Sequence, residues 1–371
     1  MKILTVVGAR PNFMKVASLH KAFKKYDKEI THLLCHTGQH YDANMSDVFF
    51  RQLELPSPDY FLGIGSGSHA EQTGKIMIEF EKVLLKEHPD LVIVVGDVNS
   101  TIACSLTAQK LHIKVAHVEA GLRSFDRNMP EEINRILTDS ISDYLFVTEK
   151  SGLINLGNEG VDDKKVFFVG NCMIDSLVSI LDFTESSDIF EKLSLGEEGY
   201  ILVTMHRPSN VDPEDRLEGL VDMLNSISLH KKVLFPIHPR TRKNLEKFGL
   251  LKKLSGNILL TDPIGYIDFV ALLKKSDLIL TDSGGIQEES TYLGVQCVTF
   301  RTSTERPSTV EEGTNHLVGE DFKIAESVVL DVINGNMKKG KVPELWDGKA
   351  GERISEILVN ELVPEKEVVK S

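Results

Sequence analysis

Three acidic stretches of this chain stand where a strand gives way to a helix. Asp97 lies in GDVNST directly after the apolar run DLVIVV, Glu119 lies in HVEAGLRS, and Glu131 and Glu132 lie in PEEINR, a helix begun by Pro130. A carboxylate in such a place can remove or return a proton, or balance a cation. Acidic side chains also cap helix N-termini, and for any one of these residues that structural role suffices. Three junctions in succession, all on the carboxyl edge of one sheet, point to a shared acidic pocket.

Basic residues mark a complementary set of positions. In GARPNFMK, Gly8 permits a tight turn and Pro11 suits a first helical turn, so Arg10 and Lys15 flank a helix N-terminus. That is either an anion site or a turn with solvated cations. VTMHRP ends a strand with His206 and Arg207, and PIHPR ends another with His238 and Arg240. Such pairs suit phosphate contact or proton transfer. The most specific element is DLILTDSGGIQEE, a strand, then Ser283-Gly284-Gly285, then a helix. Backbone amides there would cradle a phosphate, with Glu289 one turn in and able to reach a ribose. Arg306 follows in RTSTERP.

Other nucleotide motifs fail. The first strand is not followed by GxGxxG, against an NAD-binding domain. GIGSGSHAEQTGK has the wrong spacing for a phosphate loop, and Ile76 stands where Ser or Thr would hold Mg²⁺. It reads as a loop capping the next helix. No HExxH or comparable ligand spacing occurs, so a metal-free mechanism without cofactor is expected.

The elements that must carry these residues are legible from periodicity. KILTVVG, THLLCHTG, DLVIVVGD, KVAHVEAG, YLFVTE and VFFVG read as strands, separated by amphipathic stretches such as FMKVASLHKAFKK. The pattern restarts with YILVTMH, KVLFPIH, NILLTDP, DLILTDSG and VQCVTFR. Continuous apolar strands suit parallel sheets covered on both faces. The expected fold is α/β, two doubly wound Rossmann-like domains facing a central cleft. The first comprises residues 1–171 with a C-terminal helix at 352–371, and the second residues 172–351.

Composition agrees with an ordinary globular enzyme. The chain has 371 residues, 41% hydrophobic, and 42 Lys plus Arg against 55 Asp plus Glu give a net charge of −13. That balance disfavours nucleic acid and anionic membranes as partners. The four cysteines form no CxxC pair and read as buried thiols. No signal peptide is apparent and no apolar run approaches the ~18 residues of a membrane span, so a cytoplasmic location is expected.

Taken together, GARPNFMK, TGQH, GDVNST, HVEAGLRS, MPEEINR, DSGGIQEE and TERP resemble the non-hydrolysing UDP-N-acetylglucosamine 2-epimerase family, in order and over nearly the whole chain. The resemblance implies a GT-B-like fold and a usually dimeric enzyme. Its reaction interconverts UDP-GlcNAc and UDP-ManNAc through elimination of UDP to 2-acetamidoglucal and re-addition. It also implies that Arg10, Lys15, His206 and Arg306 contact the diphosphate region, with Arg207 beside them. Ser283, Gly284, Gly285 and Glu289 would hold UDP, and Phe269 would lie near the uracil. Asp97, Glu119 and Glu131, with His206, would form the catalytic group.

Bacterial members of that family carry an allosteric substrate site with a QHR stretch and an Arg before a QT pair. Here Gln39-His40-Tyr41 and Glu71 before Gln72-Thr73 stand instead, so activation by UDP-GlcNAc is not expected to operate in the same way. The segment HTGQHYDANMSDVFF also resembles members acting on UDP-linked diacetamido uronic acids. A GT-B glycosyltransferase and a non-catalytic nucleotide-sugar sensor are the competing classes.

Overall fold

A computed structural model of the chain describes residues 1–38, 55–196 and 198–362, with the backbone alone at Arg10 and Pro11. Gln39-His40-Tyr41 therefore lies outside the described residues. One compact unit comprises Met1–Ser176 and the chain from Glu344 onward; the other is Leu177–Pro343.

In the first unit, apolar β-branched runs become β1 (Lys2–Val7), β2 (Thr31–His36), β3 (Tyr60–Phe61), β4 (Leu91–Val95), β5 (Lys114–Ala120), β6 (Tyr144–Val147) and β7 (Val166–Phe168). They pair in parallel in the order β3-β2-β1-β4-β5-β6-β7. The intervening helices are α1 (Arg10–Phe23), α2 (His69–Glu87), α3 (Asn99–Lys110), α4 (Pro130–Ile141) and α5 (Lys150–Asn158). Helices on both faces explain why β4 is buried at every residue. Ser68 caps α2 by accepting from the Glu71 amide at 3.2 Å, the role expected of that loop. α6 (Cys172–Thr184) leaves this unit and ends in the second.

The second unit repeats the plan. β8 (Tyr200–Thr204), α7 (Glu214–Ser228), β9 (Lys232–Pro236), α8 (Pro239–Lys247), β10 (Ile258–Thr261), α9 (Tyr266–Lys275), β11 (Leu278–Thr281), α10 (Gly284–Leu293), β12 (Gln296–Thr299), β13 (Asn315–Leu317) and α11 (Phe322–Ile333) follow one another. The parallel order is β10-β9-β8-β11-β12-β13. Its core packs Val203, Leu220, Leu224, Phe235 and Leu280. The expected α/β class with two Rossmann-like domains is what the chain forms.

The units divide elsewhere than at the expected 171 and 351. The first extends through Ser176 because α6 opens against it: the Ser176 hydroxyl donates to the Met14 carbonyl. The chain returns at Glu344 because Trp346 is buried there and its Nε1–H donates to the Thr148 carbonyl at 3.0 Å. α12 (Ala350–Leu362) then lies on α1, with Ala350, Ile354 and Leu358 in the first unit's core.

Asp175 holds the start of α12, accepting from the amides of Ala350 at 3.0 Å and Gly351 at 2.7 Å. Burial nevertheless pushes its carboxyl up to about 6, outweighing those two bonds. In the unfolded chain an Asp titrates near ~3.9. The folded state therefore binds the extra proton between those values, and stability falls as pH rises through that window. Relative to Asp175→Asn, the wild type should lose roughly 2–3 kcal/mol between about pH 4 and pH 6.5. Urea unfolding followed by fluorescence of Trp346, the single tryptophan, measures this; parallel pH profiles would refute it.

Candidate functional site

In a doubly wound sheet, ligands bind outside the carboxyl ends of the strands where the order reverses. In the first unit that place is the adjacent ends of β1 and β4. Asn12 staples them together. Its Oδ1 accepts from the Ala9 amide at 2.9 Å and its Nδ2 donates to the Val95 carbonyl at 3.0 Å. One turn further along α1, Lys15 points to the end of β5, where its Nζ lies 2.5 Å from Glu119 Oε2. Both side chains are buried, and Glu119 Oε1 is buried without a hydrogen-bond partner among the described residues.

Two backbone features make room for this pair. Glu119 has φ +74°, at an irregularity in the β5–β6 pairing, a conformation costing a non-glycine residue about 1 kcal/mol or more. Gly96 has φ +71°. A Cβ there would lie 3.3 Å from Asn12 Nδ2, 3.5 Å from Lys15 Nζ and 3.6 Å from Glu119 Oε2.

Asp97 comes next and is partly exposed. It pairs with Arg135 of α4, which also reaches Glu132 Oε2 at 2.7 Å. Glu132 further accepts from the amides of Ser124 and Phe125, both at 2.9 Å. Burial works against its ionisation, yet the Ser124 amide, Arg135 and the Phe125 amide hold its carboxyl below the usual range. Its neighbour Glu131 is half-buried in the first turn of α4 and makes no hydrogen bond or ion pair among the described residues. Arg10 opens α1, and its side chain lies outside the described atoms. Glu71 is exposed and pairs with Lys75 at 2.6 Å.

In the second unit the same reversal joins the ends of β8 and β11. Asp282, fully buried, collects the turn after β8. It accepts from the amides of His206 at 3.0 Å and Arg207 at 2.8 Å, and from Asn210 Nδ2 at 3.1 Å. The His206 Nδ1 lies 2.8 Å from Asp282 Oδ1, while the His206 side chain stays 45% exposed. Burial opposes ionisation of Asp282, but His206 and the Arg207 amide hold its carboxyl below the usual range. His238 stands 6.0 Å from His206, ring to ring, and Arg240 is taken up by Asp212 at 2.7 Å.

Ser283 caps α10, so the amides of its first turn face the carboxyl edge. Gly284 has no room for a side chain, since a Cβ would lie 2.8 Å from Arg306 Nη1 and 3.1 Å from Glu305 Oε1; Gly285 follows in the same turn. Arg306 is fixed by Glu305 and by Glu288 at 2.9 Å, and Glu305 also takes Arg301 at 2.8 Å. Glu289, buried in α10, accepts from the Tyr266 hydroxyl at 2.8 Å. Phe269, half-buried one turn beyond Tyr266, packs on the core beside α9.

The first unit thus brings Lys15, Glu119 and Asp97 to one edge, with Glu131 in the adjoining helix. The second brings His206, Arg207, Ser283, Gly284, Gly285, Glu289 and Arg306 to another. Motif reading passed over Asn12, Arg135, Tyr266, Asp282, Arg301 and Glu305. Of these, Asp282 was signalled by its place between a strand and the Ser-Gly-Gly turn; the others declare themselves only through the partners they meet in the folded chain.

The family model described as UDP-N-acetylglucosamine 2-epimerase matches residues 22–359. The chain belongs to the UDP-N-acetylglucosamine 2-epimerase family. It is 47% identical to the UDP-N-acetylglucosamine 2-epimerase of Methanocaldococcus jannaschii over 366 residues, 96% of this chain and 99% of that protein. A solved structure of the M. jannaschii enzyme in complex with UDP-GlcNAc and UDP matches with TM-score 0.89 and 46% identity, covering 97% of this chain and 100% of that one. The chain is also 45% identical to the UDP-2,3-diacetamido-2,3-dideoxy-D-glucuronate 2-epimerase of Pseudomonas aeruginosa, over 96% of this chain and 99% of the relative. Among the described residues no cluster of His, Cys, Asp or Glu is placed to hold a metal ion, and no helix is long and apolar enough to cross a membrane.

The charges around Arg306 make a stability prediction for this epimerase-family chain. Glu305→Gln removes the carboxylate charge that pairs with two buried guanidinium groups, Arg301 and Arg306. That should cost about 3 kcal/mol or more, measured as a loss of thermal or urea stability. Unchanged stability would show that water already screens these groups.

Proposed function

We propose that this chain is a UDP-N-acetylglucosamine 2-epimerase, interconverting UDP-GlcNAc and UDP-ManNAc in the cytoplasm as a homodimer. The observation that carries this reading is Glu119: a buried carboxylate with one oxygen on Lys15 and the other without a partner among the described residues. Such an oxygen is available to a proton on a bound ligand, and it stands at the ligand-binding edge of a chain of this family.

The chemistry accounts for the residue types. The C2 proton of the sugar is not beside a carbonyl, so it is hardly acidic until the C1–O bond loosens and C1 gains cationic character. A carboxylate then removes it, the C1–O bond breaks, and 2-acetamidoglucal and UDP form. Re-addition of UDP at C1 with proton delivery to the other face of C2 gives the epimer. Asp97, Glu119 and Glu131 are assigned to the proton transfers, with His206 on the catalytic group. Arg10, Lys15, Arg207 and Arg306 are assigned to the diphosphate. Ser283, Gly284, Gly285 and Glu289 are assigned to UDP and Phe269 to the uracil. Charge-assisted hydrogen bonds to the departing phosphate contribute roughly 1.5–3 kcal/mol each.

The dimer rests on a separate feature. α2 leaves Ile78 and Leu85 exposed two turns apart on one face, apolar area that a second subunit would cover.

A second reading has its own support in the 45% identity to the P. aeruginosa diacetamido-glucuronate epimerase. The reaction would be the same and the sugar different. Incubation with each UDP-sugar in D₂O separates the two, since the true substrate acquires deuterium at C2 and yields its epimer with little free UDP. Stoichiometric UDP release would defeat both. Glu119→Gln should lower turnover by about 10²–10⁴-fold with UDP affinity, by calorimetry, near wild type. Wild-type turnover of the variant would remove Glu119 from the reaction.

A further inference from the structure

We propose that His117, protonated on both ring nitrogens and held by Asp139, is a positioning residue that sets Asp97, Glu119 and Glu131 relative to one another. The proposal rests on the epimerase reading and extends it to a buried pair tied to the backbone of the strand ends.

The geometry converges on one imidazole. His117 lies in β5, two residues before Glu119, and is fully buried. Its Nδ1 is 2.6 Å from Asp139 Oδ1 and its Nε2 is 2.8 Å from the carbonyl of Gly96. Gly96 immediately precedes Asp97. Asp139 lies in α4, the helix whose first turn bears Glu131, and its second oxygen accepts from the Gly121 amide at 3.0 Å, just beyond Glu119. The β4 turn, the end of β5 and α4 each supply one carboxylate, and each is tied to this pair. Removing it would leave the three elements joined near the site by Arg135, by Asn134 Nδ2 on the Asp97 carbonyl and by the Gly96 amide on the Val118 carbonyl.

Both contacts of the imidazole are with acceptors. A backbone carbonyl cannot donate, and an ionised carboxylate cannot donate. Each ring nitrogen must then carry a proton. Asp139 also meets a guanidinium: Arg123 Nη1 lies 2.8 Å from its Oδ2, while Arg123 Nη2 reaches outward to the exposed Glu159 at 2.7 Å. Burial opposes ionisation of Asp139, but His117 and Arg123 together hold its carboxyl below the usual range.

The test has two arms. In unmodified enzyme labelled with ring-¹⁵N histidine, the His117 signals, assigned by their loss in His117→Asn, should show both nitrogens protonated at assay pH. A neutral tautomer with one bare nitrogen would overturn the proposal. In Asp139→Asn, kcat should fall by about tenfold or more, while KM and UDP affinity stay within about twofold of wild type. A folded Asp139→Asn with wild-type kcat would also overturn it. If that variant does not fold, the spectrum of the unmodified enzyme decides. The assignment of ring protons needs no turnover, so an inactive wild type would sink the epimerase reading and leave the His117 result to be judged separately.

Discussion

The first unit is organised around two opposite charges taken out of water, Lys15 and Glu119, in contact at 2.5 Å. Desolvating such a pair costs several kcal/mol per ion, and the attraction repays it only when the geometry is held. The surroundings of the pair meet that condition. Asn12 fixes where α1 starts, the β5 irregularity turns Glu119 inward, and Gly96 leaves the space that any side chain would fill. A surface pair would need none of this. The cost is borne at the carboxyl edge where the strand order reverses, and among the described residues one oxygen of Glu119 is left with its hydrogen-bonding capacity unspent.

The second unit applies the same strand order to the opposite charge. Its edge carries helix-terminal amides, His206 and Arg306, and each is anchored from behind by a carboxylate: Asp282 behind His206, Glu288 and Glu305 behind Arg306. Side chains anchored in this way keep their direction when an anion arrives or leaves, so little reorganisation accompanies the change of charge. Gly284 belongs to that arrangement, because the Arg306 guanidinium and the Glu305 carboxylate occupy the space a methyl group would need.

How much of this the sequence disclosed follows from the distance over which each feature acts. The strands were legible because runs such as LVIVV are apolar throughout, which is what burial on both faces demands. The site residues were legible where a strand-to-helix junction and an unusual residue coincide, as at Asp97, Glu119 and Ser283. Asn12 and Glu305 were not, since a buried polar residue is explained by its partners, and the Val95 carbonyl that Asn12 meets lies at another strand's end. The domain limits were missed for a related reason. Trp346 and Asp175 bind the segment from Glu344 to the first unit through single side-chain contacts that leave no periodic trace. The strain at Glu119 was equally invisible, because nothing in HVEAG distinguishes a left-handed Glu from an extended one.

Adjacent Glu131 and Glu132 show why residue type alone does not assign chemistry. Successive residues of a helix point about 100° apart. Glu132 therefore turns to the Ser124–Phe125 backbone and Arg135, which take up its acceptor capacity in holding the loop. Glu131 turns away from them and keeps its capacity. Asp97 shares Arg135 with Glu132, so the same guanidinium that fixes the loop also fixes the direction of Asp97. On the proposed reaction, a proton must leave one face of a carbon and return to the other. A single carboxylate cannot serve both faces without moving. Three carboxylates on a strand-end turn, an irregular strand and a helix N-terminus approach from different directions while each element stays fixed, which is the arrangement an inversion requires.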